Sequence, residues 1–276
     1  MRSHVEMLGL KPVFGKHVED RIGYLAGSDD VRADDFNRFA RDRRIRGIFA
    51  LRGGYGVMRI LGEIDYGALA ADPKVVLGFS DITALLNAIT SRTGLVTFHG
   101  PVLAHPDFAT DVIDGIKSAV MRSAPLGRLY APHARSLARG TARGKLVGGN
   151  LSIVAALSGG PFAVPCDARV LILEDVRESP YRIDRMLTTL RINGDLGRVA
   201  AVGLGGFPLC VPRDGDDVPS QTLDEVLEDR LAHLQKPVLG NLRIGHVEHQ
   251  WTLPLGVVAT VNADAGTVSI DEPAVR

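Results

Sequence analysis

The stretch Val75-Val76-Leu77-Gly78-Phe79-Ser80-Asp81 decides the fold, because a short apolar run ends there at a polar turn. Such a run is typical of a buried parallel strand. After Ser80, apolar residues recur at i, i+3, i+4 and i+7, which predicts an amphipathic helix that ends at Gly94. These apolar residues are Ile82, Leu85, Leu86 and Ile89. The next run, Leu95-Val96-Thr97-Phe98, predicts another strand, and the resulting strand-helix-strand unit is typical of a doubly wound α/β fold.

The same alternation of strand and helix signals continues on both sides of this unit. Before it, residues 29–44 begin with acids and end with bases, as suits a helix dipole, and a short apolar run follows at 48–51. After residue 144, apolar periodicity predicts further strands and helices. The predicted strands lie at 145–147, 170–173, 200–204, 257–261 and 268–270, and the predicted helices at 180–190 and 223–234.

Two domains of α/β class are therefore expected. We predict a Rossmann-like N-terminal domain with a parallel sheet over residues 1–115 and a smaller, β-rich α/β C-terminal domain over residues 144–276. Residues 116–143 are basic and rich in Ala, Arg and Pro, and we predict that they form a linker.

Composition excludes several classes of function. Lys plus Arg and Asp plus Glu both total 32, so no net charge indicates a nucleic-acid or membrane partner, and a small-molecule substrate is expected. The two cysteines, Cys166 and Cys210, form no CxxC motif, which argues against disulfides and zinc. No apolar run reaches membrane-spanning length, and residues 1–10 lack a secretory pattern. We therefore expect a cytoplasmic protein without metal or cofactor.

Ser80 is the first candidate for chemistry. It lies where a predicted strand turns into a helix, so a sharp bend lifts its hydroxyl out of the sheet and the helix N-terminus favours negative charge there. The pattern is not GxSxG, because Ile82 replaces the second glycine. By itself, a serine at such a position is more often a helix N-cap.

A serine nucleophile also needs a base and a group that orients the base. Glu174 ends an apolar strand, where a carboxylate is costly unless a cleft or a partner awaits it. An ion pair with Arg182 or Arg185 explains Glu174 equally well. His246 lies in a loop without clear periodicity, and loops often carry catalytic groups. Two other histidines, His99 and His249, remain competing bases.

Six groups of motifs, taken together and in this order, resemble the LD-carboxypeptidases. The resemblance covers nearly the whole chain, whereas any single motif is weak. The motifs are Leu51-Arg52-Gly53-Gly54-Tyr55-Gly56; Gly78-Phe79-Ser80-Asp81; Phe98-His99-Gly100-Pro101; Gly148-Gly149-Asn150-Leu151; Leu173-Glu174-Asp175-Val176 with Tyr181-Arg182-Ile183-Asp184-Arg185; and Gly245-His246 with Thr252-Leu253-Pro254-Leu255-Gly256.

The resemblance implies a catalytic triad. In it, Ser80 attacks the substrate, His246 acts as general base and then acid, and Glu174 orients His246. The implied reaction is hydrolysis of an L,D amide bond, releasing D-alanine from muropeptide tetrapeptides during cell-wall recycling, usually by a homodimer.

The resemblance also suggests groups around the nucleophile. The oxyanion donors are expected to be the N–H groups of Asp81 and Gly54, and the loop of Gly54 serves equally as a tight turn. Arg52 is a candidate for binding the substrate carboxylate, although a surface salt bridge suits it as well. Tyr55 is a further candidate for substrate binding.

Two departures and two alternatives remain. Relatives begin with a β-strand, whereas this chain opens at Val5 with what resembles the following helix, so the first strand of the sheet appears missing. Trp251, close behind His246, departs from the smaller or more polar residues of many relatives. One alternative is a microcin-immunity-type peptidase that cleaves aminoacyl-nucleotide conjugates and needs an aromatic platform, for which Trp251 is a candidate, although a position in the core or at its rim suits a tryptophan better. The other alternative is a non-catalytic α/β protein that binds a small ligand.

Overall fold

The computed structural model describes residues 2–104, 108–212 and 220–276, which form nine α-helices, two 3-10 helices and twelve strands. The helices are α1 (Arg2–Met7), α2 (Asp29–Arg41), α3 (Tyr66–Ala71), α4 (Thr83–Thr93), α5 (Thr110–Met121), α6 (Leu151–Leu157), α7 (Pro180–Ile192), α8 (Asp195–Arg198) and α9 (Leu223–Leu231). The 3-10 helices are Val57–Glu63 and Ser80–Ile82. The strands are β1 (Gly47–Phe49), β2 (Val75–Gly78), β3 (Thr97–His99), β4 (Gly127–Tyr130), β5 (Arg135–Ala138), β6 (Thr141–Asn150), β7 (Val170–Glu174), β8 (Ala201–Leu204), β9 (Val238–Gly240), β10 (Leu253–Leu255), β11 (Val258–Asn262) and β12 (Thr267–Ile270).

The first sheet has the strand order β1-β2-β3-β10. Strands β1, β2 and β3 are parallel, and α4 connects β2 to β3 as the apolar spacing predicts. Gly94 ends α4 in the left-handed conformation with a φ of 74°, which glycine adopts without steric cost. Strand β10 comes from the C-terminal part of the chain and pairs antiparallel with β3.

The second sheet has the strand order β4-β12-β11-β6-β7-β8-β9-β5. Its central strands β6, β7, β8 and β9 are parallel, and the outer strands are antiparallel to their neighbours. All five residues of β7 are buried, which explains its continuous apolar sequence up to Glu174. The predicted mixed α/β fold with parallel strands is therefore confirmed.

The predicted linker, residues 116–143, carries regular structure. It contains the end of α5, the strands β4 and β5, and the start of β6. Strands β4 and β5 form the two opposite edges of the eight-stranded sheet. The domain limits 1–115 and 144–276 stay a prediction.

The largest core cluster joins the two sheets. It contains buried residues of α4 such as Leu86 and Ile89, and buried residues of the second sheet such as Leu146 and Ile172. Helix α4, which follows Ser80, and the strand that ends in Glu174 are therefore held in one packed body. Within the described part of the chain, no helix is long and apolar enough to cross a membrane.

Candidate active site

Ser80 lies at a strained turn between β2 and α4. Its φ is 62°, in the left-handed region that residues other than glycine seldom adopt, and it begins the 3-10 helix that continues into α4. Such a conformation costs about 1–3 kcal/mol and is concentrated at functional sites. The cap position before this helix belongs to Phe79, so Ser80 is not a simple N-cap.

Glu174 and His246 form a hydrogen-bonded pair. Oε2 of Glu174 lies 2.7 Å from Nδ1 of His246, and the carboxylate side chain is fully buried whereas the imidazole is 23% exposed. Because a carboxylate only accepts hydrogen bonds, this contact places the proton on Nδ1 and leaves the lone pair on Nε2. The pair thus has the arrangement of an oriented general base.

Phe79 connects this pair to the nucleophile turn. Its ring centroid lies 4.7 Å from that of His246, so the imidazole packs beside the residue that precedes Ser80. Among the described residues, no hydrogen bond joins Ser80 to His246. Catalytic hydrogen bonds are often long without substrate and tighten when it binds. Two of the three predicted triad residues are therefore in direct contact, and His246 packs against the neighbour of the third, Ser80.

The Gly-rich loop after β1 covers the other side of Ser80. A Cβ atom built on Gly53 would lie 3.1 Å from Oγ of Ser80, so the loop backbone is close to the hydroxyl. Gly54 has a φ of 111° and is exposed, as are Arg52 and Tyr55. Among the described residues, no acidic side chain forms an ion pair with Arg52, and both roles considered for Arg52 stay predictions. The ring of Tyr55 packs edge-on against Tyr24, with 5.6 Å between the centroids.

Asp81 follows the nucleophile and is buried. Its Oδ2 accepts a hydrogen bond from the N–H of Val57 at 2.9 Å. Burial raises the pKa of the Asp81 carboxyl, while this hydrogen bond and the charge of Arg32 act in the opposite direction. The side chain of Asp81 therefore binds the far end of the Gly-rich loop.

The sequence did not predict the buried environment of His99 or the contacts of Asp175. His99 ends β3 and is fully buried, and burial lowers its pKa from 6.5 to about 4, with Glu174 opposing the shift. Asp175 is also buried, and burial raises its pKa. It accepts hydrogen bonds from the N–H and hydroxyl of Ser152 and from the amide of Asn150. The available signal was a second acid directly behind Glu174 at a strand end.

Both arginines considered as partners of Glu174, and the competing histidine His249, have other contacts. Arg182 pairs with Glu178, and the guanidinium of Arg185 packs over Tyr181. His249 contacts the carboxylate of Asp111 at 3.0 Å. Trp251 is partly buried and packs against the main core.

In the described ranges, no group of three or more His, Cys, Asp and Glu side chains is arranged to hold a metal ion. Cys166 and Cys210 are free and buried, and burial raises the pKa of their thiols to about 12 and about 11.

Comparison with known proteins identifies the family of the chain. Residues 1–100 match the model of the LD-carboxypeptidase N-terminal domain, and residues 143–261 match that of the LD-carboxypeptidase C-terminal domain. The chain belongs to the LD-carboxypeptidase family. The predicted family is thus confirmed, and the protein is a peptidase.

Individual relatives align over most of the enzyme. It is 36% identical to the probable murein peptide carboxypeptidase of Bacillus subtilis, covering 97% of this chain and 84% of the relative. It is 30% identical to the murein tetrapeptide carboxypeptidase of Pseudomonas aeruginosa, covering 94% and 86%. Its fold is similar to that of the Escherichia coli microcin C7 self-immunity protein MccF in complex with aspartyl sulfamoyl adenosine. That match has a TM-score of 0.89 and 28% identity, and covers 99% of this chain and 90% of the other.

Proposed function

We propose that this peptidase is a serine-type LD-carboxypeptidase that releases a terminal D-alanine from muropeptide tetrapeptides. The observation that carries the proposal is the buried Glu174–His246 hydrogen bond beside the strained turn of Ser80. The names of the relatives from Bacillus subtilis and Pseudomonas aeruginosa support the substrate class. The proposal includes a homodimer that acts in the cytoplasm on recycled cell-wall peptides.

The reaction follows from the positions of these groups. Ser80 Oγ attacks the carbonyl carbon of the scissile amide while its proton passes to Nε2 of His246. The N–H groups of Asp81 and Gly54 stabilise the oxyanion, and each such donor contributes about 3 kcal/mol in comparable hydrolases.

Collapse of the tetrahedral intermediate breaks the C–N bond. His246 gives its proton to the leaving amine of D-alanine, and the acyl group remains as an ester on Ser80. Water then attacks the ester with His246 as base, which releases the tripeptide and restores the hydroxyl. Throughout the cycle Glu174 holds the Nδ1 proton of His246. Arg52 and Tyr55, exposed beside the Gly-rich loop, are proposed to contact the substrate.

The decisive experiment measures D-alanine release from an L,D-linked tetrapeptide. We expect Ser80→Ala to lower turnover by about 10⁴-fold or more, with peptide binding largely kept. Ser91→Ala, at the exposed end of the same helix α4, serves as the matched control and keeps wild-type turnover. A tetrapeptide ending in L-alanine tests stereospecificity. Unchanged turnover in Ser80→Ala would end the assignment.

A second candidate function is cleavage of aminoacyl-nucleotide conjugates. The fold similarity to MccF bound to aspartyl sulfamoyl adenosine favours it, whereas the packing of Trp251 against the core speaks against an aromatic platform at that residue. Parallel assays with the tetrapeptide and with an aminoacyl sulfamoyl adenosine separate the two functions. We expect faster turnover of the tetrapeptide.

A further inference from the structure

The peptide group between Gly56 and Val57 is held at both ends by side chains of opposite charge. The carbonyl oxygen of Gly56 accepts a hydrogen bond from Nη1 of Arg32 at 3.1 Å. The N–H of Val57 donates to Oδ2 of Asp81 at 2.9 Å. The cation therefore contacts the negative end of the peptide dipole, and the anion contacts the positive end.

This arrangement strongly favours one orientation of the peptide group. The Arg32 side chain is only 13% exposed and Asp81 only 4%, so water screens neither charge well. A flip of the peptide would turn its carbonyl oxygen toward the carboxylate and its N–H toward the guanidinium. The flip would also break the hydrogen bond from the N–H of Arg59 to the carbonyl oxygen of Gly56, which measures 3.2 Å.

Glycine is required at this position for steric reasons as well. Gly56 has a φ of 123°, outside the conformations that other residues adopt readily. A Cβ atom there would lie 2.7 Å from Cδ2 of Leu25 and 3.1 Å from Nη1 of Arg32. The guanidinium thus fits against the bare backbone of the loop.

Arg32 itself is fixed by an ion-pair network. Its Nη2 contacts Oδ1 of Asp29, and Asp29 also binds the guanidinium of Arg59 through bonds of 2.8 to 3.0 Å. Arg59 lies two residues after Val57. The network therefore joins α2 to the Gly-rich loop at two points, through Arg32 before the fastened peptide bond and through Arg59 just after it.

The fastened loop is the one that lies against the nucleophile. Gly53 packs on Ser80, and Gly54 lies between Gly53 and the fastened peptide. Asp81, which holds the peptide through its side chain, is also the residue whose N–H is proposed to bind the oxyanion. A rotation at the Gly56–Val57 peptide would therefore move the loop relative to Oγ of Ser80.

We infer that Arg32 and Asp81 are positioning residues that fix the Gly56–Val57 peptide and thereby hold the Gly53–Gly56 loop in the form that stabilises the oxyanion. This inference rests on the proposed function, because it assumes that the loop supplies a donor to the reacting carbonyl. It assigns Arg32, which is distant in sequence from every catalytic motif, a role in the rate of the chemical step.

The test compares substitutions at both ends of the peptide. Arg32→Met removes the cation, and Arg32→Lys restores a single donor. Asp81→Ala removes the acceptor, and Asp81→Asn restores one. Arg38→Met, on the same helix α2, is the matched control, because Arg38 pairs with Asp35 and not with the loop. Circular dichroism and thermal melting report whether each variant folds.

We expect Arg32→Met and Asp81→Ala to lower kcat for D-alanine release by up to about 10²-fold with KM little changed. The Lys and Asn variants recover part of the loss, and Arg38→Met behaves as wild type. The rate of Ser80 labelling by a fluorophosphonate falls in parallel, because the phosphoryl oxygen occupies the same donor site. In the double variant Arg32→Met with Asp81→Asn, kcat falls less than the product of the two single losses predicts, because both residues act on one peptide group.

The outcomes separate a failure of the positioning inference from a failure of the proposed function. If Ser80 labels rapidly and Arg32→Met slows the labelling, but no D-alanine is released, the substrate proposal fails and the positioning inference stands. If both rates in Arg32→Met and Asp81→Ala stay within about twofold of Arg38→Met, well below the change expected from a displaced catalytic group, the inference is overturned. Should Arg32→Met fail to fold, Asp81→Ala carries the same test at the other end of the peptide, and wild-type labelling in that folded variant overturns the inference.

Discussion

Asn87 and Gly148 are joined by two hydrogen bonds that use both polar groups of one buried side chain. Oδ1 of Asn87 accepts from the N–H of Gly148 at 3.0 Å, and Nδ2 donates to the carbonyl oxygen of Gly148 at 2.9 Å. Asn87 lies on α4, directly behind the nucleophile turn, and Gly148 lies on β6, beside the strand that ends in Glu174. One turn earlier on α4, Thr83 Oγ1 accepts the N–H of Asn150 at 3.0 Å. The contacts fasten the helix of Ser80 to the sheet of the acid.

Replacing Asn87 by Leu removes both contacts and leaves two buried backbone groups of Gly148 without partners. Each such group costs about 1–3 kcal/mol, so we expect the free energy of unfolding in urea to fall by about 3 kcal/mol. Thr83→Val, which leaves only the N–H of Asn150 unpaired, should lose about 1–2 kcal/mol. Equal losses in the two variants would contradict this account.

Glu174→Gln tests the orientation of the base. A glutamine amide can donate to Nδ1 of His246, which moves the imidazole proton to Nε2 and removes the lone pair that accepts the proton of Ser80. We expect kcat to fall by about 10⁴-fold while KM and the melting temperature change little. Glu63→Gln, an exposed acid outside the site, is the control. Activity within tenfold of wild type would show that the tautomer of His246 does not matter.

Gly245→Ala tests how closely the loop of His246 packs on Glu174. A Cβ atom on Gly245 would lie 2.2 to 2.4 Å from Oε2, Cδ and Cγ of Glu174, and the φ of Gly245 is 82°. We expect the substitution to displace the Glu174–His246 pair and to lower both kcat and the melting temperature. Gly115→Ala is the matched control, because nothing lies within 4 Å of a Cβ there. Since Gly115 is in helix α5, that variant should gain up to about 1 kcal/mol.

The spacing of apolar residues in the sequence was sufficient to predict most of the helices and strands of the fold. The apolar spacing after Ser80 and the glycine at 94 correspond to α4 and its left-handed end. The pairing of β10 was not predictable in this way. Its proline at 254 argues against a central strand, and only the position of β10 at the edge of the first sheet makes the proline tolerable. That position depends on contacts with residues more than 150 positions earlier in the chain.

Ser80 and Glu174 could be singled out because their motifs lie at strand ends, whereas His246, in a loop, was singled out by the family resemblance. The contacts that position these residues could not be predicted. Asn87 meets Gly148 across 61 residues, and Arg32 meets Gly56 across 24. A buried asparagine or an arginine on a polar helix gives no local indication of its partner, because the partner is a backbone group that becomes available only when the elements have packed.

The last prediction concerns His99, whose burial makes stability depend on pH. Burial lowers the pKa of the folded-state imidazole from 6.5 to about 4, with Glu174 raising it and His246 lowering it further. The folded state therefore prefers the neutral ring, and the associated stability is fully present above pH 6.5 and is lost as the pH falls toward about 4. A shift of this size corresponds to about 3 kcal/mol.

In His99→Gln the titrating group is gone, so the free energy of unfolding should fall less steeply between pH 6.5 and 4 than in the wild type. Urea unfolding at several pH values measures the two slopes. The two proteins share every other ionisable group, so the contributions of those groups largely cancel in the difference. His133→Gln removes an exposed histidine and should keep the wild-type slope. If His99→Gln also keeps that slope, the buried imidazole does not resist protonation, and another group must account for the loss of stability in acid.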